Sequence, residues 1–206
     1  LPTQCFHLCI VPPHDGEPPG EHVLVTRGAI NAVRPATTKR DDQGLILIGG
    51  PSRHHGWSTL GLVSQVTEIL AADHRGWTIA TSRRTPADTV DALRQLVDDP
   101  AGLVEPADVA PDWLAATLAQ TPVAWVSEDS VSMLYEALTA GAACGLIGVP
   151  GKGASRIQRG VDELVDNGLI VRFEAWRAGQ RLLPPERPLD EAGRCADWIA
   201  ERWLAS

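Results

Sequence analysis

The sequence has no apolar stretch near the roughly 20 residues that a membrane-spanning helix needs. It also opens without the charged, apolar and small-residue segments of a secretory leader. We therefore expect a cytoplasmic protein without a membrane span. Methionine is scarce as well, because the first residue is Leu1 and Met133 is the only methionine. We expect from this that the sequence is a fragment of a longer protein.

Basic residues are fewer than acidic ones: the sequence has 18 Lys and Arg residues, 26 Asp and Glu residues and a net charge of -8. Broad surfaces for nucleic acids or anionic membranes need a clustered excess of Lys and Arg, so this balance argues against both. We expect no nucleic-acid partner. Local basic sites and peripheral contact with a membrane stay open.

The sequence has few metal-binding side chains, and neither a C-x-x-C pair nor a zinc-like spacing connects its four cysteines and six histidines. We expect buried free thiols in a reducing compartment and no metal site. His54, His55 and His74 are interpreted as surface or structural residues. The cysteines are Cys5, Cys9, Cys144 and Cys195.

Two nucleotide-binding motifs are missing. The dinucleotide fingerprint G-x-G-x-x-G fails after Gly49, since Pro51 and His54 stand at its second and third glycine positions, and no P-loop is present. Arginines follow the next predicted strand, where an NAD enzyme has an acidic residue. An NADP-binding reductase therefore stays open as a weaker alternative.

Short apolar runs alternate with helical patterns from residue 44 onward, which predicts a parallel sheet covered on both faces. The fold class is α/β, with a doubly wound, six-stranded, Rossmann-like sheet of strand order 3-2-1-4-5-6. The predicted strands are Leu45–Ile48, Thr78–Thr81, Leu103–Glu105, Val123–Ser127, Cys144–Gly148 and Ile170–Arg172. The predicted helices are Thr59–Ala72, Pro86–Val97, Pro111–Ala119, Ser130–Ala140, Ala154–Asn167 and Leu189–Leu204.

The first forty residues form a separate region. Two short extended pieces, "FHLCIVPPHDG" and "EHVLVTRGAINAV", precede a polar segment, "RPATTKRDDQG", that has the composition of a linker. These pieces are too short to bury a core by themselves. We interpret residues 1–40 as the end of another domain with its linker, or as a strand pair docked on the main domain, which spans residues 41–206.

Polar loops follow the predicted strands. In a doubly wound sheet, ligands bind beyond the carboxyl ends of the strands at the switch point, so "GGPSRHHG" and "SEDSVSM" are predicted neighbours. "TSRRTP" and "GVPGKGASR" flank them. Because these loops offer glycine backbone, arginine and a helix start, we predict an anion site at this edge.

Each feature in these loops has a plainer interpretation. Gly49 and Gly50 also suit a tight turn, Arg83 and Arg84 suit a solvated surface, and Ser130 suits a simple helix cap.

Two acidic residues are assigned to hydroxyl groups of the ligand. Glu136 lies four residues after Ser132 on one helical face and suits a ribose diol. Asp129 would repel a phosphate, so we place it toward sugar or ribose hydroxyls.

These loops carry a resemblance to a known family. The sequence resembles bacterial members of the mitochondrial-fission (elongated mitochondria) family, regarded as two-domain glycosyltransferases of the GT-B type. Family members have most of an acceptor-side domain before the first shared motif, and the chain departs from them at "GAACGLIGVP", which leaves donor contacts around Ala142–Pro150 open. The shared motifs are "PPHDG", "VLVTRGAINAV", "LILIGGPSRHHGW", "TSRRTP" and "EDSVSMLYEALTAG".

The resemblance implies sugar transfer from a nucleotide-diphosphate sugar to an unknown acceptor, without a metal or other cofactor. It implies that residues 41–206 are the donor-binding half, and that His14 with Asp15 lies at the interdomain cleft, where the histidine would act as a base. A turn-stabilising His-Asp pair is the alternative there. The implied donor-binding residues are Gly49, Gly50, Pro51, Ser52, Arg53, Ser82, Arg83, Arg84, Thr85, Glu128, Asp129, Ser130, Ser132, Met133 and Glu136.

A second class of function stays open from the residues themselves. A Rossmann-like scaffold can act as a non-enzymatic interaction module, and exposed tryptophans suit contact with a membrane protein or another partner chain. The tryptophans that favour this alternative are Trp57, Trp176, Trp198 and Trp203.

Overall fold

The computed structural model describes residues 3–12, 16–35, 38–153 and 156–204. Its main sheet has six parallel strands in the spatial order β5-β4-β3-β6-β7-β8, and a separate two-stranded parallel sheet joins β1 to β2. The strands are β1 (Cys9–Val11), β2 (Val23–Val25), β3 (Gln43–Leu47), β4 (Gly76–Ala80), β5 (Leu103–Val104), β6 (Val123–Ser127), β7 (Ala143–Ile147) and β8 (Ile170–Arg172).

Helices connect the strands and cover the sheet. The first begins at a Ser58 cap whose Oγ accepts from the Gly61 N–H, and the last begins at an Asp190 cap whose carboxylate accepts from the Gly193 N–H. The helices are α1 (Thr59–Ala72), α2 (Ala87–Arg94), α3 (Trp113–Gln120), α4 (Val131–Thr139), α5 (Arg156–Asp166), α6 (Phe173–Arg177) and α7 (Glu191–Trp203).

Both faces of the sheet are buried, because successive side chains of a strand point to opposite sides. Leu45 and Leu47 of β3 pack in the core that α4 covers, whereas Ile46 packs in the core that α1 covers. The partner strand β6 divides in the same way, with Trp125 on the α1 side. This double covering confirms the predicted doubly wound, Rossmann-like sheet and its strand order.

The helix α6 was missed by the sequence prediction. It is only five residues long, so its single pair of aromatic residues, Phe173 and Trp176, is too short a pattern to establish a helical period. Trp176 lies in edge contact with the buried Trp125, with ring centroids 5.1 Å apart. The predicted bounds of the other elements differ from the observed ones by a few residues at their ends.

The strand pair β1–β2 is docked on the main domain, which was one of the two interpretations of this region. Arg194 of α7 donates from Nη2 to the Val25 carbonyl at 2.8 Å, and Glu191 accepts from the Arg27 N–H at 2.8 Å. Glu191 and Arg194 also form an ion pair with each other. The assignment of residues 1–40 to another domain stays a prediction.

Lys39 fastens the polar segment before β3. Its Nζ donates to the Leu118 carbonyl at 3.1 Å and to the Ala140 carbonyl at 2.6 Å. One ammonium group thus gives a hydrogen-bond donor to a free backbone carbonyl at the C-terminus of α3 and to another at the C-terminus of α4. Burial lowers the pKa of Lys39. The segment is therefore attached to the main domain by a side chain, although its composition resembles a linker.

Two expectations about single residue types were partly wrong. Cys144 and Cys195 are buried as expected, but Cys5 is exposed. Trp57, Trp176 and Trp198 are half-buried, which weakens their predicted role as exposed contact residues.

In the parts of the chain that the structure describes, no helix is long and apolar enough to cross a membrane.

Gly145→Ala is expected to destabilise the protein by about 1–3 kcal/mol, because a Cβ there would overlap the ring of the buried Trp125. Gly160→Ala is the matched control in α5, where a Cβ would meet nothing within 4 Å. It should stabilise by about 0.5–1 kcal/mol through lower backbone entropy. Urea unfolding of both variants checks the pair, and equal effects would contradict the packing at β7.

Candidate functional site

Three predicted loops meet at the carboxyl edge of the sheet. They are the loop of residues 48–58 after β3, the loop 81–86 after β4 and the loop 128–130 after β6. Side chains from the second and third loops contact the Gly49-Gly50 turn of the first. The strand order accounts for this, since β3 lies between β4 and β6.

Asp129 lies at the centre of this junction, with a side chain that is 0% exposed. Its Oδ2 accepts from the Gly50 N–H at 2.9 Å and from Nη2 of Arg84 at 2.8 Å. Its Oδ1 accepts from Ser127 Oγ at 2.8 Å, and Ser127 Oγ in turn accepts from the Gly49 N–H at 2.8 Å. Every oxygen of this buried carboxylate is thus hydrogen-bonded, as a buried charge requires.

Arg84 and Thr85 complete the junction from the β4 side. Nη1 of Arg84 donates to the Gly50 carbonyl at 2.7 Å and to the Pro51 carbonyl at 3.2 Å. Thr85 Oγ1 donates to the carbonyls of Ile48 and Gly49. Ser82 supports this turn, since its Oγ accepts from the Arg84 N–H at 3.2 Å.

The N–H groups of Gly49 and Gly50 are therefore already used inside the protein. We expected them to approach a phosphate, but they donate to Ser127 and Asp129. We expected Asp129 to face a sugar, but its carboxylate is buried in the loop junction. The ligand-binding roles of these residues stay predictions.

The N-terminus of α4 is the open part of the site. Ser130 is buried at the cap position, but its side chain makes no cap hydrogen bond to the first turn of α4. Ser132 is exposed and Met133 is half-buried beside it. Among the described residues, no side chain therefore accepts from the first-turn N–H groups at the positive end of this helix dipole.

Glu136 lies one turn further along α4. Glu136 is half-buried, and its carboxylate has no hydrogen bond or ion pair within the described ranges. Burial raises the pKa of this carboxyl group. A half-buried carboxylate without a partner is a feature of functional sites, because a structural role would supply a donor.

The loop 148–153 after β7 contacts the later part of the first loop, residues 52–56. Its backbone pairs with the first loop, since the Gly56 N–H donates to the Pro150 carbonyl at 2.7 Å and the Lys152 N–H donates to the His54 carbonyl at 2.9 Å. The Nζ of Lys152 donates to the Ser52 carbonyl at 2.9 Å. Lys152 brings positive charge to the rim and was not predicted as a site residue, although its loop was.

Some residues of the motif "PSRHHGW" stabilise the loop itself. Ser52 Oγ accepts from the N–H groups of His54 and His55, which closes a turn. His55 is buried, and its backbone bridges to Gly151. The structural interpretation of these histidines agrees with this geometry.

Glu128 faces away from the junction. Its Oε1 accepts from Nη1 of Arg172 at 2.8 Å and from the amide of Gln158 at 2.7 Å. These contacts attach the end of β6 to α5 and β8. Glu128 was predicted to bind the donor, but its buried carboxylate is occupied by structural partners.

Two predicted arginines are free at this rim. Arg53 and Arg83 are exposed, and neither has a hydrogen bond or an ion pair within the parts of the chain that the structure describes. The loops that hold them contain no acidic residue. His14 and Asp15, the predicted base and its partner, lie outside the described residues.

A groove of about 410 Å³ lies beside the site, between α1, the loop after β7 and the start of α6. Gln65 closes one wall, because its amide exchanges two 2.9 Å hydrogen bonds with the backbone of Gly148. The groove is lined mainly by apolar side chains, which include Leu62, Leu146 and Phe173. Within the described ranges, no group of three His, Cys, Asp or Glu residues could hold a metal ion.

The fold and this rim define a Rossmann-like α/β domain with a polar site at the switch point of its sheet. The family model described as "Mitochondrial fission ELM1" matches residues 1–203. The chain belongs to this family, which confirms the resemblance seen in the motifs. A search of functionally curated proteins finds no match.

Three solved structures are similar to the chain. They are UDP-GlcNAc 2-epimerase from Methanocaldococcus jannaschii (TM-score 0.49, 14% identity, 79% of this chain and 46% of that one), cypemycin decarboxylase CypD (0.43, 12%, 81% and 98%) and the E. coli heptosyltransferase WaaC with ADP (0.38, 12%, 81% and 46%). The chain spans less than half the length of the epimerase and the heptosyltransferase. We draw no functional conclusion from similarities this distant.

Glu136→Gln is expected to stabilise the protein at about pH 7 and to have little effect at about pH 4, where the glutamic acid is mostly protonated. The raised pKa means that the folded state disfavours the charged carboxylate, so wild-type stability falls as the pH rises through that pKa. Urea unfolding of both proteins at the two pH values measures this difference. A variant less stable than the wild type at about pH 7 would contradict the unpaired state of Glu136.

Proposed function

We propose that residues 41–206 are the donor-binding domain of a GT-B type glycosyltransferase that uses a nucleotide-diphosphate sugar. One observation carries the proposal: two arginines and a glutamate without partners among the described residues lie with the uncapped N-terminus of α4 at one edge of the sheet. Arg83 and Glu136 are the most informative members of this set. Membership in the family supports the same function.

The diphosphate binds at the first turn of α4 in this proposal. The N–H groups near Ser132 and the helix dipole provide donors for its oxygens. Arg83 and Arg53 add charge from the neighbouring loops, and Lys152 adds charge from the loop after β7. These groups would stabilise the departing diphosphate without a metal ion.

Glu136 binds the ribose in this proposal. A carboxylate accepts two hydrogen bonds from a vicinal diol. Both oxygens of Glu136 are available for this, because no group in the described chain donates to them. Its position one turn after Ser132 agrees with a nucleoside extending along α4 from its diphosphate.

The acceptor and the base belong to the other half of the cleft. We assign the role of base to His14, oriented by Asp15, and we assign residues 1–40 to the acceptor-side domain. The parallel pairing of β1 with β2 supports this assignment, because parallel strands occur in sheets covered on both faces.

Nucleotide diphosphates such as UDP, ADP, GDP and dTDP are the first probes. One of them should raise the melting temperature, since a ligand that binds only the folded state stabilises it. Differential scanning fluorimetry with the free nucleotides, NADPH and a ligand-free control makes the measurement. A response to NADPH alone would favour the reductase alternative, and no response to any nucleotide would favour an interaction module.

Arg83→Ala and Glu136→Gln should each weaken the responding nucleotide about 10- to 100-fold. Hydrogen bonds to charged groups contribute about 1.5–3 kcal/mol, and about 1.4 kcal/mol corresponds to a tenfold change. Isothermal titration calorimetry checks both variants. Arg40→Ala is the matched control, since Arg40 is an exposed arginine just before β3, at the opposite edge of the sheet. Equal losses in Arg40→Ala and Arg83→Ala would contradict a site at the carboxyl edge.

A further inference from the structure

The Gly49-Gly50 turn has the composition of a phosphate-binding cradle, but a protein carboxylate occupies it. The Gly50 N–H and the Arg84 guanidinium both donate to Oδ2 of Asp129, at 2.9 and 2.8 Å. Backbone N–H groups and guanidinium groups are the donors that bind phosphate oxygens in proteins. The buried carboxylate thus takes the place that a ligand anion would take.

We infer that Asp129 is an internal anion that closes this cradle, and that Arg84 and Asp129 are positioning residues rather than ligand contacts. Both Nη atoms of Arg84 are used within the protein, one on Asp129 and the other on the carbonyls of Gly50 and Pro51. The ion pair connects the loops after β4 and β6, and hydrogen bonds from Gly50 and to its carbonyl attach the loop after β3 to both. It therefore sets where the start of α4 lies relative to the first loop.

The two glycines support this inference. A Cβ on Gly49 would overlap the carboxylate of Asp129, and a Cβ on Gly50 would overlap the backbone carbonyl of Arg84. The close approach of these two residues is therefore enough to require glycine at both positions. A bound phosphate is not needed to explain the pair.

The consequence for the ligand rests on the proposed function. With the cradle closed, the diphosphate binds beside it, at the first turn of α4 and Arg83. The negative charge of Asp129 lies next to this position and weakens the binding of the diphosphate. Two adjacent arginines thus have different tasks, since Arg84 holds the loops together and Arg83 contacts the ligand.

Neutralising the internal anion tests the inference. Asp129→Asn keeps the shape of the side chain and an oxygen acceptor for the Gly50 N–H, and it leaves the charge of Arg84 without a carboxylate. We expect the affinity for inorganic pyrophosphate to rise at least about tenfold, which corresponds to about 1.4 kcal/mol. In Asp129→Asn/Arg84→Gln this gain should be lost, because the cradle then lacks its cation. Isothermal titration calorimetry with wild type and both variants measures the change.

A folded Asp129→Asn protein without a gain in pyrophosphate affinity overturns the inference, and so does a gain that persists in the double variant. Circular dichroism and thermal unfolding establish that each variant is folded. If Asp129→Asn does not fold, Asp129→Ser replaces it, since its smaller side chain leaves room for the anion. The proposed function is judged separately, by the response of the wild type to nucleotide diphosphates, so either idea can fail while the other holds.

Discussion

The parallel pairing of β3 with β6 is the constraint on which the site depends. These strands are adjacent in space although about eighty residues separate them in the sequence, and the helices that follow them, α1 and α4, cover opposite faces of the sheet. The chain before α1 and the chain before α4 therefore start side by side. Burial of alternate side chains in two cores holds this pair, because a shift of one residue would move every apolar side chain to the wrong face.

The Asp129 carboxylate converts that adjacency into a defined geometry. Its two oxygens accept hydrogen bonds from the loops after β3 and β4 and from Ser127 at the end of β6, and its complete burial means that each donor is required. The surrounding rim is different, since the start of α4, Arg83 and Glu136 have no such side-chain partners among the residues that the structure describes. A closed junction beside an open helix terminus is an arrangement in which a rigid support positions a few free groups.

Different parts of the site could be predicted from the sequence to different degrees. Gly49, Arg83 and Ser130 were placed on one edge correctly, since strand order and the direction of parallel strands decide that. The division between Arg84 and Arg83 could not be predicted, because it depends on which guanidinium reaches Asp129 across two loops. Lys152 and the structural partners of Glu128 could not be predicted for the same reason, because these contacts join residues that are distant in the chain.

The sequence by itself determined the α/β class, the order of the strands, the position of the polar loops and membership in the family, because apolar periodicity and local motifs encode these. Only the tertiary structure decided which charges are satisfied internally and which remain free, that β1 and β2 dock on α7, and that a short helix follows β8. Those outcomes depend on distances between side chains far apart in sequence, which no local pattern specifies.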